Sequence, residues 1–143
     1  MQALSLSLAS RIVDLALEKA RAIDCKPLTV AVLDTGGHLL VLKREDGSGI
    51  LRPQIAIAKA WGVLGMGLGG RTLAERATAA PAFFSALGDI SGGRMAPVPG
   101  GVLLRDGGGN LLGSVGISGD TSDTDETCAV FAIESSGLKA DPG

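Results

Sequence analysis

The chain has 143 residues, 45% of them apolar and 20% charged, and a formal net charge of -2. This is the balance of a globular chain with enough length to bury a core, and it excludes a disordered one. With no basic run, three Phe, one Trp and no Tyr, it also excludes a nucleic-acid partner, an anionic membrane surface and a base-stacking platform.

The N-terminal stretch has leucines but no basic residues ahead of them, so no signal peptide is expected. No apolar run reaches the roughly 20 residues of a membrane span. A cytoplasmic protein of one domain over residues 1–143 is the expectation. Leu4, Leu8, Ile12, Leu15 and Ala16 recur at helical spacing and predict a helix over 4–23, stopped before Pro27. Cys25 follows it, and Cys128 lies far along the chain. The two form no CxxC pair, so no zinc site is expected, and free thiols in a reducing compartment fit better than a disulfide.

A stretch that occurs twice organises the rest. Asp34-Thr35-Gly36-Gly37-His38-Leu39-Leu40 and Asp106-Gly107-Gly108-Gly109-Asn110-Leu111-Leu112 share Asp-x-Gly-Gly, a polar residue and Leu-Leu. Each reads as a β-hairpin turning on Asp and Gly, with strands over 28–34 and 38–43 in the first copy and 102–106 and 110–118 in the second. Between the copies, residues 50–66 predict a helix apolar on most sides, with Lys59 as its polar exception. The spacing Gly65-x-Gly67-x-x-Gly70 fits GxGxxG, but no strand leads into it, so packing is preferred to phosphate binding. Thr72-Leu73-Ala74-Glu75 has capping-box spacing and predicts a third helix to about Ala80, with a further turn over 82–87. A shaped loop, Pro97-Val98-Pro99-Gly100-Gly101, enters the second hairpin, and Ser122-Asp123-Thr124-Asp125 opens a last helix ending at Gly137. The order α-ββ-α-α-ββ-α predicts one antiparallel sheet with helices on its faces.

Three side chains stand out chemically. His38 is the only histidine; it reads as a polar turn residue or as a contact for a ligand, including one axial position of a haem. Arg44 and Lys59 read as surface cations or as partners for a carboxylate. Asp125 beside Glu126 reads as a helix cap or as an acid/base group. No metal centre of several protein ligands is expected.

The combination Val32-Leu33-Asp34-x-Gly36-Gly37-His38-Leu39, Arg44-x-Asp46-Gly47, Lys59-Ala60, Pro97-x-Pro99-Gly100-Gly101-Val102 and Gly113-x-Val115-Gly116-Ile117-Ser118-Gly119 before Asp125-Glu126 resembles the GlcG/HbpS family, which includes PduO-type C-terminal domains. The resemblance implies a profilin-like α+β fold with a five-stranded antiparallel sheet, the fifth strand coming from a split of 111–119. It also implies homo-oligomers, and one His and two isolated cations among glycine-shaped loops point to a ligand pocket at a subunit interface. In that reading the ligand is haem or a small carboxylated metabolite, contacted by His38, Arg44, Lys59, Gly100, Gly101, Gly116, Ser118 and Gly119. A cofactor-independent isomerase, tautomerase or hydro-lyase acting on an organic acid through His38, Arg44 and Asp125 is the alternative, and an assembly subunit without ligand is another. Trp61-Gly62-Val63 stands where the family commonly has small and hydroxylated residues, which reshapes one wall of the expected pocket.

Overall fold

The computed structural model describes residues 3–143. Along the chain come α1 (Leu6–Ala22), β1 (Thr29–Asp34), β2 (Leu39–Arg44), α2 (Arg52–Met66), α3 (Gly70–Ala79), α4 (Pro81–Ile90), β3 (Gly101–Arg105), β4 (Leu111–Ser118), α5 (Ser122–Ser135) and β5 (Lys139–Asp141). The strands form one antiparallel sheet in the order β2-β1-β4-β3-β5. This is the five-stranded α+β architecture expected of a profilin-like fold.

The repeated motif makes the same turn twice. Asp34 Oδ1 accepts from the N–H groups of Gly36 and His38, both at 2.9 Å. Asp106 Oδ1 accepts from Gly108 and Asn110, again both at 2.9 Å. The side-chain oxygen takes the place of a backbone acceptor, and Gly37 and Gly109 supply the positive φ, 80° and 84°, that closes each turn. The two hairpins meet through β1 and β4, with Thr29 opposite Ser118 and Asp34 opposite Gly113.

Alternation along the strands sends residues to two cores. Val30, Val32, Val102, Leu104, Val115 and Ile117 pack with Ile12, Val13 and Ala16 of α1 and with Cys128, Ala132 and Ile133 of α5. On the opposite face α2 lies directly on the sheet. A Cβ at Gly116 would strike Ala56 O and sit 2.8 Å from Ala60 N, and one at Gly101, its cross-strand partner, would lie 3.0 Å from the Lys59 carbonyl carbon. Two facing glycines therefore make the flat patch that lets helix backbone meet strand backbone.

Three local expectations are corrected. The fifth strand is Lys139–Asp141, pairing with β3, and β4 stays whole. The Thr72–Glu75 capping box does not form. α3 starts at Gly70 with Gly69 as its N-cap and no side-chain cap, and the Arg71 N–H donates to Pro142 O at 3.0 Å. The expected single turn after Pro81 is a full ten-residue helix, α4, with no buried residue. Proline at its first turn starts a helix as readily as it ends the one before.

Candidate ligand-binding site

His38 stands at the mouth of the first hairpin, its side chain 80% exposed. Its Nδ1 lies 3.2 Å from Asp34 Oδ1. A carboxylate only accepts, so in this geometry the neutral ring carries its proton on Nδ1 and leaves the Nε2 lone pair free. The two N–H bonds from His38 and Gly36 hold the Asp34 carboxyl below the usual carboxylate range, the His38 N–H contributing most, so it stays ionised at neutral pH. The ring borders an apolar concavity of about 570 Å³ formed with Ala3, Leu4, Leu40, Leu111 and Leu112. That volume lies in the range of small-molecule and cofactor sites. On the α2 side, Trp61 lies under the same turn: a Cβ at Gly37 would come within 2.9 Å of its Nε1. Arg94 stacks on the indole, 4.1 Å from its centre.

The other expected site residues lie elsewhere. Arg44 is at the far end of β2; six strand steps of about 3.3 Å separate it from His38 by roughly 20 Å. Its Nη1 donates to Ser48 O at 2.7 Å, and it lines a second, polar concavity of about 550 Å³ with Arg21, Lys43, Glu45 and Asp46. Lys59 and Asp125 are 3% and 1% exposed and pair with each other, Nζ to Oδ2 at 3.2 Å. Asp125 Oδ1 also accepts the Asp120 N–H at 3.1 Å. Burial pushes the Asp125 carboxyl up and the Lys59 ammonium down from their ordinary values, each opposed by its partner's charge. Gly100, with φ of 110°, lies against that ammonium: a Cβ there would be 2.8 Å from Nζ. Ser118 Oγ accepts from Arg52 Nη1 at 3.1 Å, and Gly119 is buried against Pro27 and Leu28. Lys59, Gly100 and Asp125 are thus gathered in one buried cluster, Gly101 and Gly116 lie under α2, and none of them borders the His38 concavity. His38, Arg44 and Asp125 occupy three separate places, so the catalytic trio expected for organic-acid chemistry is not assembled within the chain.

Sequence reasoning missed Asp34 as the partner of His38, although its i to i+4 spacing and its turn role were readable. It also missed the leucines flanking both turns, Leu40 and Leu111-Leu112, as the wall of the concavity.

A family model described as haem-degrading protein HbpS-like matches residues 4–134. The chain belongs to the HbpS-like family. Among solved structures, this HbpS-like chain superimposes on that of the PduOC–heme complex with a TM-score of 0.85 at 25% identity, covering 96% of this chain and 97% of that one. An HbpS double mutant from Streptomyces reticuli matches with a TM-score of 0.81 at 27% identity, over 94% and 88% of the two chains. Protein ORFY of Klebsiella pneumoniae shares the fold, with a TM-score of 0.84 at 23% identity over 96% and 92%. A comparison with curated protein sequences finds no match. Among the described residues, no helix is long and apolar enough to cross a membrane, and no group of three or more His, Cys, Asp and Glu side chains is placed to hold a metal ion.

Proposed function

We propose that this chain binds haem in the concavity beside His38, whose Nε2 would hold the iron. The observation that carries the reading is the pairing of Nδ1 with Asp34 at the edge of a leucine-lined hollow. A metal-ligating histidine characteristically gives its other N–H to a carboxylate, which fixes the ring and raises its basicity. The donor set suits the group: one imidazole for the iron and Leu4, Leu40, Leu111 and Leu112 for the porphyrin face. Bound haem would supply the iron and its redox chemistry. Asp34 would orient the imidazole, and the leucines would offer apolar surface to the porphyrin. Membership of the HbpS-like family and the likeness to the PduOC–heme complex support the reading.

Haemin titration of the protein is expected to shift the Soret band at one equivalent. His38→Ala abolishes the shift, Asp34→Asn keeps the turn's acceptor but weakens affinity roughly 10- to 100-fold, and Asn110→Ala changes nothing. No shift, or the same shift in His38→Ala, refutes the assignment. A small carboxylated metabolite is the second reading, favoured by the cations Arg21, Lys43 and Arg44 around the polar concavity. A thermal-shift gain with small carboxylates that Arg44→Ala removes and His38→Ala does not would mark that site.

The chain also self-associates in this reading, with α4 as the contact. Phe83 and Ile90 of that helix are 54% and 75% exposed, and none of its ten residues is buried. Phe84 packs this helix onto Val63, Leu73 and Leu103, and the apolar side that Phe83 and Ile90 leave exposed is suited to a second copy of itself packed about a two-fold axis. Sedimentation velocity is expected to show an oligomer that Phe83→Glu dissociates without lowering the melting temperature. A monomeric wild type refutes it.

A further inference from the structure

We propose that Arg94, stacked on Trp61 beside the His38 turn, receives a carboxylate of the bound ligand. The proposal rests on the haem reading and adds to it the group that would hold a propionate. The two cations expected from sequence to meet a carboxylate do not stand at this turn: Arg44 is at the far end of β2, and Lys59 is buried against Asp125. Arg94 does.

Its place is built by the chain that leaves α4. The N–H groups of Gly92 and Gly93 donate back to Asp89 O at 3.0 Å and Gly88 O at 2.7 Å. The Ala96 N–H then donates to Ala58 O at 3.4 Å, which lays residues 94–96 along α2. Gly62 makes room for Met95 there: a Cβ at 62 would lie 3.5 Å from Met95 Cγ. Arg94, one place earlier, falls on the indole of Trp61, with its guanidinium carbon 4.1 Å from the ring centre. The same indole presents Nε1 to Gly37, 2.9 Å from where a Cβ would sit. Adding ordinary covalent lengths, the guanidinium is no more than roughly 12 Å from the Gly37 Cα.

The guanidinium is held but not used up. Its Nε donates to Ser91 O at 2.6 Å. Among the described residues its two Nη groups have no hydrogen-bond partner and it makes no ion pair, whereas Arg21, Lys43, Lys59, Arg71 and Arg105 each face a carboxylate. Stacking shields one face of the plane and leaves the donor edge open. That edge is a planar fork that matches a carboxylate in bidentate fashion. A small hollow of about 120 Å³ lies between Thr35, Gly36 and Gly37 and the facing Trp61, Leu64 and Gly65. Thr35 and Gly36 also border the leucine-lined concavity, so the two hollows adjoin across the turn. The smaller one has no room for a porphyrin but has room for a carboxylate arm.

The test is titration of the full chain with haemin and with haemin dimethyl ester, in which both carboxylates are masked, followed in the Soret band at two salt concentrations. The wild type is expected to bind haemin roughly 10- to 100-fold more tightly than the diester, the worth of a charge-assisted hydrogen bond, and added salt should narrow the gap. Arg94→Gln should bind the two forms alike, at the diester's affinity, with an unchanged melting temperature. Arg94→Lys should regain part of the preference, because it keeps the charge without the fork. Excess succinate should not displace haemin; displacement that Arg94→Gln abolishes would assign the fork to small acids and overturn the proposal. Equal binding of the two forms by the wild type, or a preference retained in Arg94→Gln, also overturns it and leaves the His38 assignment standing. No Soret shift with either form overturns both.

Discussion

Asp125→Ala is expected to destabilise the protein by about 3–5 kcal/mol, the loss seen when one partner of a buried ion pair is removed. The pair joins α2 to the start of α5 past the ends of β3 and β4, and neither side chain reaches water. Truncating Asp125 leaves the Lys59 ammonium buried without a counter-charge and takes the acceptor from the Asp120 N–H. Lys59→Met leaves the mirror problem, an unpaired carboxylate. The double variant Lys59→Met/Asp125→Leu is expected to regain most of the loss, because two apolar side chains carry no desolvation penalty. A double-mutant cycle in denaturant measures the difference, and additive losses would show that the two groups do not interact.

The pH dependence of the pair follows from the shifts. Burial raises the Asp125 carboxyl in the folded state. Its contribution to stability is therefore complete below the ordinary aspartate value and is lost as pH rises through the folded one. Lys59 is lowered. Between its folded value and the ordinary lysine value the unfolded chain binds more protons, so stability rises with pH in that alkaline window. In Lys59→Met the opposing charge is gone and the carboxyl rises further. The penalty of that variant should be smallest in acid and grow towards neutral pH. A penalty that grows towards acid would contradict the burial of Asp125.

The hairpins were legible because their information is local. Asp34-x-Gly36-Gly37 and Asp106-x-Gly108-Gly109 each contain their own turn: an Asx acceptor, a residue able to take positive φ, and alternating apolar flanks. The helices were legible from spacing, within two or three residues at most ends. β5 was not legible. Lys139-Ala140-Asp141 has no strand pattern and is held by backbone pairing to β3 and by the Arg105–Asp141 ion pair at 3.0 Å. The false capping box at Thr72 shows the same limit. The helix starts earlier because a remote carbonyl, Pro142 O, meets its first turn.

The site divides along the same line. Lys59 announced itself as a charge on an apolar helix, but its partner lies 66 positions away and no spacing rule reaches it. The glycines at 101 and 116 were expected to contact a ligand. Helix α2, rather than a ligand, is what comes close. His38 and Arg44 were both visible as isolated polar groups, and only the extended run of β2 shows that they stand at opposite ends of one strand.

Gly116→Ala is expected to cost about 3 kcal/mol, the upper end of ordinary overpacking. The backbone conformation does not require glycine there, so the whole effect is contact. The added methyl meets Ala56 O, Ala60 N at 2.8 Å and the Ala60 methyl at 2.9 Å. Two of these are backbone atoms inside a helix, and no rotamer change moves them. α2 must lift, and in lifting it withdraws Ala56, Ala60 and Val63 from the sheet. It also draws Trp61 away from Gly37 at the His38 turn. The variant should therefore lower both the denaturation midpoint and haemin affinity, whereas His38→Ala should lower affinity alone. Adding Ala60→Gly removes one of the three contacts and should restore stability only in part. Unchanged stability in Gly116→Ala would mean that α2 does not rest on bare strand backbone. The packing that fixes the height of Trp61 beside the His38 turn would then need another source.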